Sequence, residues 1–503
     1  MKTSKILFLV FLILLTLSAV SAQPVWPPSS GTIYIRSDGS VYPSTASIQR
    51  VGDVYTFTND IIGYTIEVER DNIVIDGAGH TLQGAFRGIY LSNRSGVTIK
   101  NMKIKTELSQ YGYAFGIVLT SSYGNTIVNN EIIVPYNPTE EVSLTTGIFL
   151  EKSSNNNIIS NNMITSIKDI GIQLSNSVYN TVINNKFNGC GISAYASVQN
   201  TVTNNTVDDK PIVYLDNVSD YVVENAGQII LVNSNNITVS NFVLPIIGIQ
   251  LLNTKNSLIT KNEADISLYE SSQNVITENT GEIKLRYSEY NNISKNTWWI
   301  ELSNSSHSLV SENRGGIKVT YSTNITMMGN QIDHYITIQN TINCEINSNN
   351  ITGNGDGEGI VLSFSHNNSI VNNIIANHTF GVYLRYSSNN IIYGNNFVNN
   401  TAHVVNWGSV NIWDNGTVGN YWNDYADKYP NATRLNGIWN TPYEIPDPSY
   451  LNASSRDNYP LTNPVDIEVI PEFPSWSPML LILIVFTVAV TIYKRRLLKT
   501  PIQ

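Results

Sequence analysis

Short apolar segments alternate with polar turns through the middle of the chain. In each segment a small or polar residue precedes Ile-x-Leu or a close variant, as in Gly-Ile-Val-Leu at 116–119. The pattern returns about every 21 residues, and at a constant 17 residues from Ile249 to Ile317. The positions that we expect to point inward are Ile89, Ile117, Ile148, Ile172, Ile192, Ile212, Ile229, Ile249, Ile266, Ile283, Ile300, Ile317, Ile336, Ile360 and Val382.

A second short strand follows about ten residues after most of these positions. Examples are Asn-Thr-Ile-Val-Asn-Asn at 125–130 and Asn-Ile-Ile-Ser-Asn-Asn at 157–162, in which apolar residues alternate with polar ones. Stacked Asn side chains can bond from one coil to the next, and Asn236 and Asn324 are expected in such ladders. No helical stretch separates the strands, so the pattern predicts an all-β solenoid of about fifteen coils whose strands run parallel.

Composition agrees with strands rather than helices. The 503 residues are 42% hydrophobic but only 14% charged, and Asn, Ser, Thr, Ile, Val and Tyr dominate. The formal net charge of −10 argues against nucleic acid as a partner.

The two ends of the chain predict export and anchoring. Residues 1–22 are typical of a secretory signal peptide, although an uncleaved N-terminal anchor is the alternative. The apolar run 479–493 and the basic tail 494–503 predict one C-terminal transmembrane helix with the tail in the cytoplasm. A buried core helix is the other interpretation of that run. We therefore expect a secreted chain on the extracellular face, held at the cell membrane by this helix.

Sequence motifs at both ends of the repeats resemble NosD-type right-handed parallel β-helix proteins. The N-terminal ones are Ile-Tyr-Ile-Arg-Ser-Asp-Gly-Ser at 33–40 and Val-Glu-Arg-Asp-Asn-Ile-Val-Ile-Asp-Gly at 68–77. The C-terminal ones are Gly-Asn-Tyr-Trp-Asn-Asp-Tyr at 419–425 and Arg-Asp-Asn-Tyr-Pro-Leu at 456–461. The resemblance spans about residues 33–462. It implies a right-handed β-helix related to the repeat domains of carbohydrate-binding proteins and sugar hydrolases, in a family labelled as copper-binding.

The expected organisation follows from these segments. It comprises a signal peptide (1–22), an N-terminal strand and cap region (23–87), β-helix repeats (88–402), a C-terminal cap region (403–462), a linker (463–478), the anchor (479–493) and the tail (494–503). Pro-Glu-Phe-Pro at 471–474, followed by the apolar run and basic residues, resembles the PEF-type sorting signals of archaeal surface proteins. That resemblance implies a sortase-like processing enzyme as a partner.

Metal-ligating residues are sparse and scattered. Cys190 and Cys344, the only cysteines, are expected about eight coils apart and therefore unbonded to each other. No two of the six histidines lie at i,i+2 or i,i+4, so we expect no copper site and no other cofactor. The stretch 429–437 lacks the carboxylates that relatives carry there, which argues against a calcium site.

The 17-residue coils make outward-facing columns predictable. Asp265 and Glu282 fall on adjacent coils, as a pair of carboxylates for general acid and base catalysis would require. The candidate glycan-binding residues are Tyr269, Lys284, Arg286, Trp299, Glu301 and Lys318. Three interpretations stay open: a solvated strand face whose charges satisfy one another, a polysaccharide-binding patch, and a catalytic site.

The leading hypothesis is a non-catalytic surface scaffold that binds polysaccharide or other cell-envelope components, because pectinase-type signatures are absent. The alternative is a polysaccharide hydrolase or lyase that acts near residues 265–318. Aromatic residues between Trp407 and Tyr443 are interpreted as cover for the end of the core. Candidate glycosylation sites are Asn93, Asn204, Asn217, Asn292, Asn304, Asn377, Asn415, Asn431 and Asn452.

Overall fold

A computed structural model describes residues 31–136, 144–445 and 455–467. The chain divides into two compact units, Met1–Asp208 and Asp209–Gln503. In both units nearly all the regular structure is β, and successive coils pair in parallel. Each unit is therefore a parallel β-helix, as the repeat predicts.

The N-terminal unit stacks three strands of each coil on the same three strands of the next. One sheet holds Thr32–Ile35, Thr65–Val68, Arg87–Ser92, Tyr113–Thr120, Leu144–Glu151, Met163–Ser175 and Lys186–Tyr195. The second holds Ile48–Val51, Val54–Phe57, Val74–Asp76, Thr98–Lys100, Thr126–Val128, Ile158–Ser160, Thr181–Ile183 and Thr201–Thr203. The third side is formed by Ile61–Ile62, Thr81–Ala85, Lys103–Thr106, Glu131–Ile133 and Thr206–Val207 with the first halves of the two longest strands. Val41–Tyr42 adds antiparallel to the first strand.

The C-terminal unit has the same three-sided coils. Its first sheet, called sheet A below, holds Lys210–Asp216, Gln228–Val232, Val243–Leu252, Glu263–Tyr269, Ile283–Arg286, Ile300–Ser303, Ile317–Thr320, Ile336–Gln339, Glu358–Ser363, Phe380–Arg385 and Ala402–Trp407. The second holds Ser219–Val222, Asn235–Ser240, Leu258–Thr260, Val275–Thr277, Asn292–Ser294, Leu309–Ser311, Thr326–Met328, Glu345–Asn347, Ser369–Val371 and Ile391–Tyr393. The third holds Gln331–Ile332, Asn350–Thr352, Ile374–Ala376, Asn396–Val398 and Tyr421–Trp422.

The register of sheet A follows the sequence repeat. Ile266 pairs with Ile283, and Ile283 with Ile300, so the 17-residue interval is one turn of the coil. These side chains are at most 1% exposed and fill the core in columns. Ile212 is one residue out of register, because Val213 rather than Ile212 pairs with Ile229. The alternation of buried and exposed positions fixes which face each strand buries, and a one-residue slip reverses it.

Buried Asn side chains form hydrogen-bonded ladders at the corners of the coils. Asn262, Asn279, Asn296, Asn313 and Asn330 bond in series, each amide donating to the next carbonyl at 2.9–3.1 Å. The ladder satisfies backbone groups as well, because the same side chains bond main-chain N–H and C=O groups of neighbouring coils. The predicted stacking of Asn is therefore confirmed.

Asn236 and Asn324 are not ladder residues, and that prediction is wrong. Asn236 is exposed and Asn324 half-buried, and both have a left-handed backbone with φ near +55°. Asn236 is the second residue of the strand Asn235–Ser240, and Asn324 lies in the turn before the strand Thr326–Met328. At both places the chain needs a residue that tolerates positive φ. The sequence pattern alone does not separate this kind of Asn from the stacked kind.

The C-terminal end of the core is covered by a pile of aromatic rings. Trp422 stacks between Phe397 and Tyr443, with ring centroids 4.4 and 4.1 Å apart, and is 1% exposed. Asp457 accepts hydrogen bonds from the Trp422 indole and from the Asn420 and Tyr459 backbone. The short helix Tyr425–Lys428 and the hairpins Arg434–Leu435 with Ile438–Trp439 and Tyr443–Ile445 with Ser455–Asp457 complete this end. These rings belong to the same buried cluster as the coils, as a cover for the core requires.

Several of the predicted segments lie outside the described residues. These segments are the signal peptide at 1–22, most of the linker, the anchor at 479–493, the basic tail and the sorting motif at 471–474. Within the described part of the chain, no helix has the length and apolar character needed to cross a membrane.

Candidate functional site

The outward side of sheet A between residues 263 and 320, called the outer face below, carries all the predicted site residues. In these strands the inward Ile, Leu and Val alternate with side chains that are exposed or half-buried, except that Thr320 is buried. Ser267, Lys284, Glu301 and Lys318 pair in register across four coils, and Tyr269 pairs with Arg286. The predicted columns are therefore confirmed as columns, while the chemistry assigned to them stays a prediction.

The two candidate catalytic carboxylates are both engaged by neighbours. Asp265 accepts a hydrogen bond from the Glu282 backbone N–H at 2.8 Å. The Glu282 carboxylate accepts one from the Lys284 ammonium at 2.5 Å, on its own strand. Both carboxylates therefore already have a hydrogen-bond donor of this chain as a neighbour.

The remaining charges of the outer face form a second ion pair. Lys318 lies 3.2 Å from Glu301 across adjacent strands. Arg286 ends its strand as an exposed residue, and Tyr269 on the preceding coil lies edge-on to Tyr287 at 5.6 Å between ring centroids. The outer face is thus a flat surface of paired charges with aromatic rings at its side.

One edge of the outer face carries two adjacent tryptophans. The Trp299 indole lies over Gly316 of the next coil. A Cβ atom added at Gly316 would fall 1.8 Å from the ring. The Trp299 indole also packs edge-on against Tyr335 at 5.2 Å. Trp298 is 67% exposed, and its backbone φ is +120°. Gly281 and Gly315, which occupy the same position on the two adjacent coils, have φ of +139° and +128°. A conformation that suits glycine is strained for tryptophan, by about 1–3 kcal/mol.

The other edge of sheet A carries four aromatic residues, called the aromatic edge below. Tyr287, Tyr321, Phe364 and Tyr386 each follow the last residue of a sheet A strand, are 45–62% exposed, and have φ between +48° and +52°. The equivalent turn position is Asn253, Asn304 or Asn340 in three other coils and Glu270 in a fourth, with φ in the same range. Phe364 stacks on Tyr386 at 5.4 Å. Left-handed backbone suits Asn and is unfavourable for large side chains.

The aromatic edge was missed by the sequence reasoning, which followed the strands and not the turns. A signal for it exists in the sequence. Once the coils are aligned, the turn position after the sheet A strand is either Asn or an aromatic residue from 287 to 386: Tyr287, Asn304, Tyr321, Asn340, Phe364 and Tyr386.

A small pocket of about 360 Å³ opens near the C-terminal end, lined in part by His403, Asp424 and Lys428. His403 Nε2 lies 3.2 Å from the Asp424 carboxylate, and its other nitrogen lies 3.3 Å from the Asn400 amide. Burial alone would raise the pKa of Asp424, but His403, Tyr443 and Lys428 together lower it. Both imidazole nitrogens have neighbours in the structure, so this cluster is better described as part of the end cover than as a reactive site.

The described residues do not fit a copper centre. Copper is held by clustered His, Cys and Met side chains. Among residues 31–136, 144–445 and 455–467, no group of three or more His, Cys, Asp or Glu could hold a metal ion. Cys190 and Cys344 are buried and form no disulfide bond, and burial raises the pKa of Cys344 to about 11. The stretch 429–437, considered for calcium, forms a hairpin turn with mostly exposed side chains.

The candidate glycosylation sites differ in exposure. Asn93, Asn204, Asn217, Asn304, Asn377, Asn415 and Asn431 are exposed. Asn292 is half-buried in a strand, and its side-chain oxygen is buried. Asn452 lies outside the described residues. Their use as acceptors stays a prediction, with Asn292 the least accessible of the described ones.

Stacked three-sided coils with inward Ile, Leu and Val columns define the chain as a parallel β-helix protein. Comparison of its sequence with family models then gives the family. The model described as "Periplasmic copper-binding protein (NosD)" matches residues 33–216 and 301–427, which is more than half of the chain. The chain belongs to the NosD family. No curated protein matches it at a significant level.

Solved structures with a similar fold share little sequence with this chain. The mannuronan C-5 epimerase AlgE4 A-module of Azotobacter vinelandii is 11% identical with a TM-score of 0.22, over 69% of this chain and 90% of that one. The Streptococcus pneumoniae surface protein and adhesin PfbA is 13% identical with a TM-score of 0.22, over 65% and 92%. Tailspike protein 3 of bacteriophage CBA120 is 11% identical with a TM-score of 0.25, over 80% and 64%. Similarity at this level carries no argument about function.

Proposed function

We propose that this protein is a secreted surface β-helix that binds polysaccharide along the outer face of its C-terminal unit without cleaving it. The observation that carries the proposal is the placement of exposed aromatic rings at positions where the backbone favours Asn or Gly. Tyr287, Tyr321, Phe364, Tyr386 and Trp298 each cost stability where they stand. Exposed rings maintained against strain indicate a role in contacting a ligand.

The arrangement suits a long sugar chain. Tyr287 and Tyr321 are two coils apart, which is about 10 Å at the usual spacing of strands. Rings at such intervals can stack on successive sugar rings of one polymer, while the paired charges between the edges offer hydrogen bonds to hydroxyl groups. The outer face presents exposed and half-buried side chains from successive coils, and such an extended row favours a polymer over a small molecule that needs an enclosed pocket.

The lack of catalysis in this proposal rests on the contacts of the candidate acids. Asp265 and Glu282 are each already engaged by a hydrogen-bond donor of this chain. A hydrolase would need one of them as a proton donor. The alternative function, a hydrolase or lyase acting near residues 265–318, is tested by the same experiment as the binding.

The test compares variants that separate binding from stability. Tyr287→Asn combined with Tyr321→Asn, and separately Trp298→Gly, are expected to lower affinity for a bound polysaccharide at least tenfold in affinity electrophoresis against a glycan panel. The same variants are expected to keep or raise thermal stability, by about 0.5–1 kcal/mol for each relieved position. Lower affinity together with unchanged or higher thermal stability would show that these aromatic side chains contact the ligand and do not support the fold.

Tyr179→Asn is the matched control. Tyr179 has φ of +58° and is 57% exposed, but it belongs to the N-terminal unit and not to the outer face. It should change stability in the same direction and leave binding unchanged. Equal binding by all variants would contradict the proposal. Release of oligosaccharide by the wild type, abolished in Glu282→Gln, would make the protein an enzyme.

The proposal includes location at the cell envelope. It is supported by the sequence of residues 1–22 and 479–503 and by the resemblance of 471–474 to a sorting signal. Full-length chain should partition with membranes or with the cell envelope, and a chain ending at residue 470 should appear in the medium. Retention of the shortened chain in the cytoplasm would contradict it.

A further inference from the structure

Arg87 stands out among the charged residues of the N-terminal unit. It begins the strand Arg87–Ser92, on the side of the sheet that faces away from the core. Its guanidinium carbon lies 4.1 Å from the centre of the Tyr90 ring and 5.9 Å from that of Phe86. Glu67 and Tyr34 occupy the position equivalent to Tyr90 on the two preceding coils. Arg87 is therefore set among aromatic rings, with one carboxylate in the neighbourhood.

The guanidinium lacks a polar partner within the described ranges. Its Nε is buried without a hydrogen bond, and no ion pair joins it to a carboxylate. Two other arginines of this unit are paired with carboxylates, Arg70 with Asp53 at 2.6 Å and Arg94 with Asp71 at 3.4 Å. The difference is local, because all three lie on neighbouring coils of the same unit.

Burial of a charge without a partner is unfavourable. Burial lowers the pKa of Arg87, an effect that Tyr90, Glu67 and Tyr34 oppose in that order. The guanidinium nevertheless keeps its charge, since arginine does not lose its proton in proteins. Contact with the face of an aromatic ring compensates only part of the lost solvation. An anion from outside the chain would supply hydrogen bonds to the part of the half-buried guanidinium that solvent reaches.

The surroundings of Arg87 favour a sugar over a peptide as the carrier of that anion. Phe115 is its partner on the next coil, is buried, and stacks on Phe149 at 5.9 Å. The backbone N–H and C=O groups here are engaged in coil-to-coil ladders, so an extended peptide would find no free strand edge. A sugar ring needs only side-chain contacts and an aromatic surface, and the half-buried rings of Tyr34, Tyr90 and Phe149 provide these.

We propose that Arg87 binds the carboxylate of a uronic acid unit in an acidic polysaccharide. The planar guanidinium would hold both carboxylate oxygens, and the rings around it would contact the sugar. This site lies in the N-terminal unit and does not depend on glycan binding by the outer face of the other unit. Failure of either proposal leaves the other standing.

The experiment measures binding of trigalacturonic acid to the full chain by calorimetry, with neutral galactotriose for comparison. Arg87→Met is expected to lower the affinity about tenfold or more, and Arg87→Lys to lower it severalfold because lysine cannot bind both oxygens. Glu67→Gln is expected to raise the affinity about twofold to fivefold, since it removes a negative charge beside the site. Lys105→Met removes an exposed positive charge of the same unit, and should leave the affinity within about twofold.

A measurement of thermal stability separates binding from a structural role. Arg87→Met should have an unchanged or higher melting temperature, because methionine fills similar space without a buried charge. A melting temperature lower by several degrees would show that Arg87 supports the fold and would overturn the proposal. If Arg87→Met does not fold, Arg87→Lys and Glu67→Gln still test it.

Three further results would overturn the proposal. They are no binding of trigalacturonic acid by the wild type at millimolar concentration, equal binding of galactotriose, and equal binding by Arg87→Met. Inorganic sulfate provides the last comparison. Competition by sulfate as strong as that by galacturonic acid would identify a site for small anions and not for a sugar.

Discussion

Asn279→Ala should destabilise the coils around it by about 4 kcal/mol. The Asn279 amide donates to Asn296, to the Ile259 carbonyl and to the Thr277 carbonyl at 2.9–3.0 Å. Its carbonyl accepts from the backbone and the side chain of Asn262. The residue is 1% exposed, so alanine leaves several buried groups without partners, each at a cost of about 1–3 kcal/mol.

Amide hydrogen exchange is the measurement suited to this prediction. A solenoid opens locally, and the loss should be concentrated in residues 258–296, with little change in distant coils. Asn279→Ser should lose about half as much, because Ser308 already occupies the equivalent place in the neighbouring ladder and accepts from the Asn291 backbone. Asn431→Ala, at an exposed position, is the control and should change nothing measurable. Unchanged exchange in Asn279→Ala would mean that the ladder adds little to stability.

Trp422→Ala should open the C-terminal end of the β-helix, at a cost of about 4 kcal/mol. The ring is 1% exposed and stacks between Phe397 and Tyr443, and truncation of such a side chain leaves a large cavity. It also removes the indole N–H that donates to Asp457 at 2.9 Å. The last coils would then lose both core cover and a buried hydrogen bond.

The expected readout is early exchange and proteolysis within residues 391–463, while the coils at 283–320 stay protected. Trp407→Ala is the matched control, since Trp407 is 42% exposed, and it should cost less than about 1 kcal/mol. Uniform destabilisation of the whole unit would contradict the prediction, because it would show that the unit unfolds as one cooperative block.

Much of the candidate site followed from the repeat alone. The column of Lys284, Glu301 and Lys318 could be predicted because a constant interval of 17 residues places equivalent positions one above another. The partner of each charge could not, because Lys284 bonds Glu282 on its own strand and not Glu301 across the sheet. Side chains of this length reach several neighbours at similar energy, and the choice depends on local packing.

The repeat interval and the alternation of apolar residues determined the class of fold, because only stacked coils bury all those Ile, Leu and Val columns at once. The tertiary structure decided which Asn residues stack and which occupy left-handed turns, since both kinds share the same local sequence. It also decided that Tyr287 and Trp298 stand in strained, exposed positions and that the Nε of the half-buried Arg87 has no hydrogen bond. These features depend on backbone dihedral angles and on contacts between coils 17 to 28 residues apart, and a local sequence pattern contains neither.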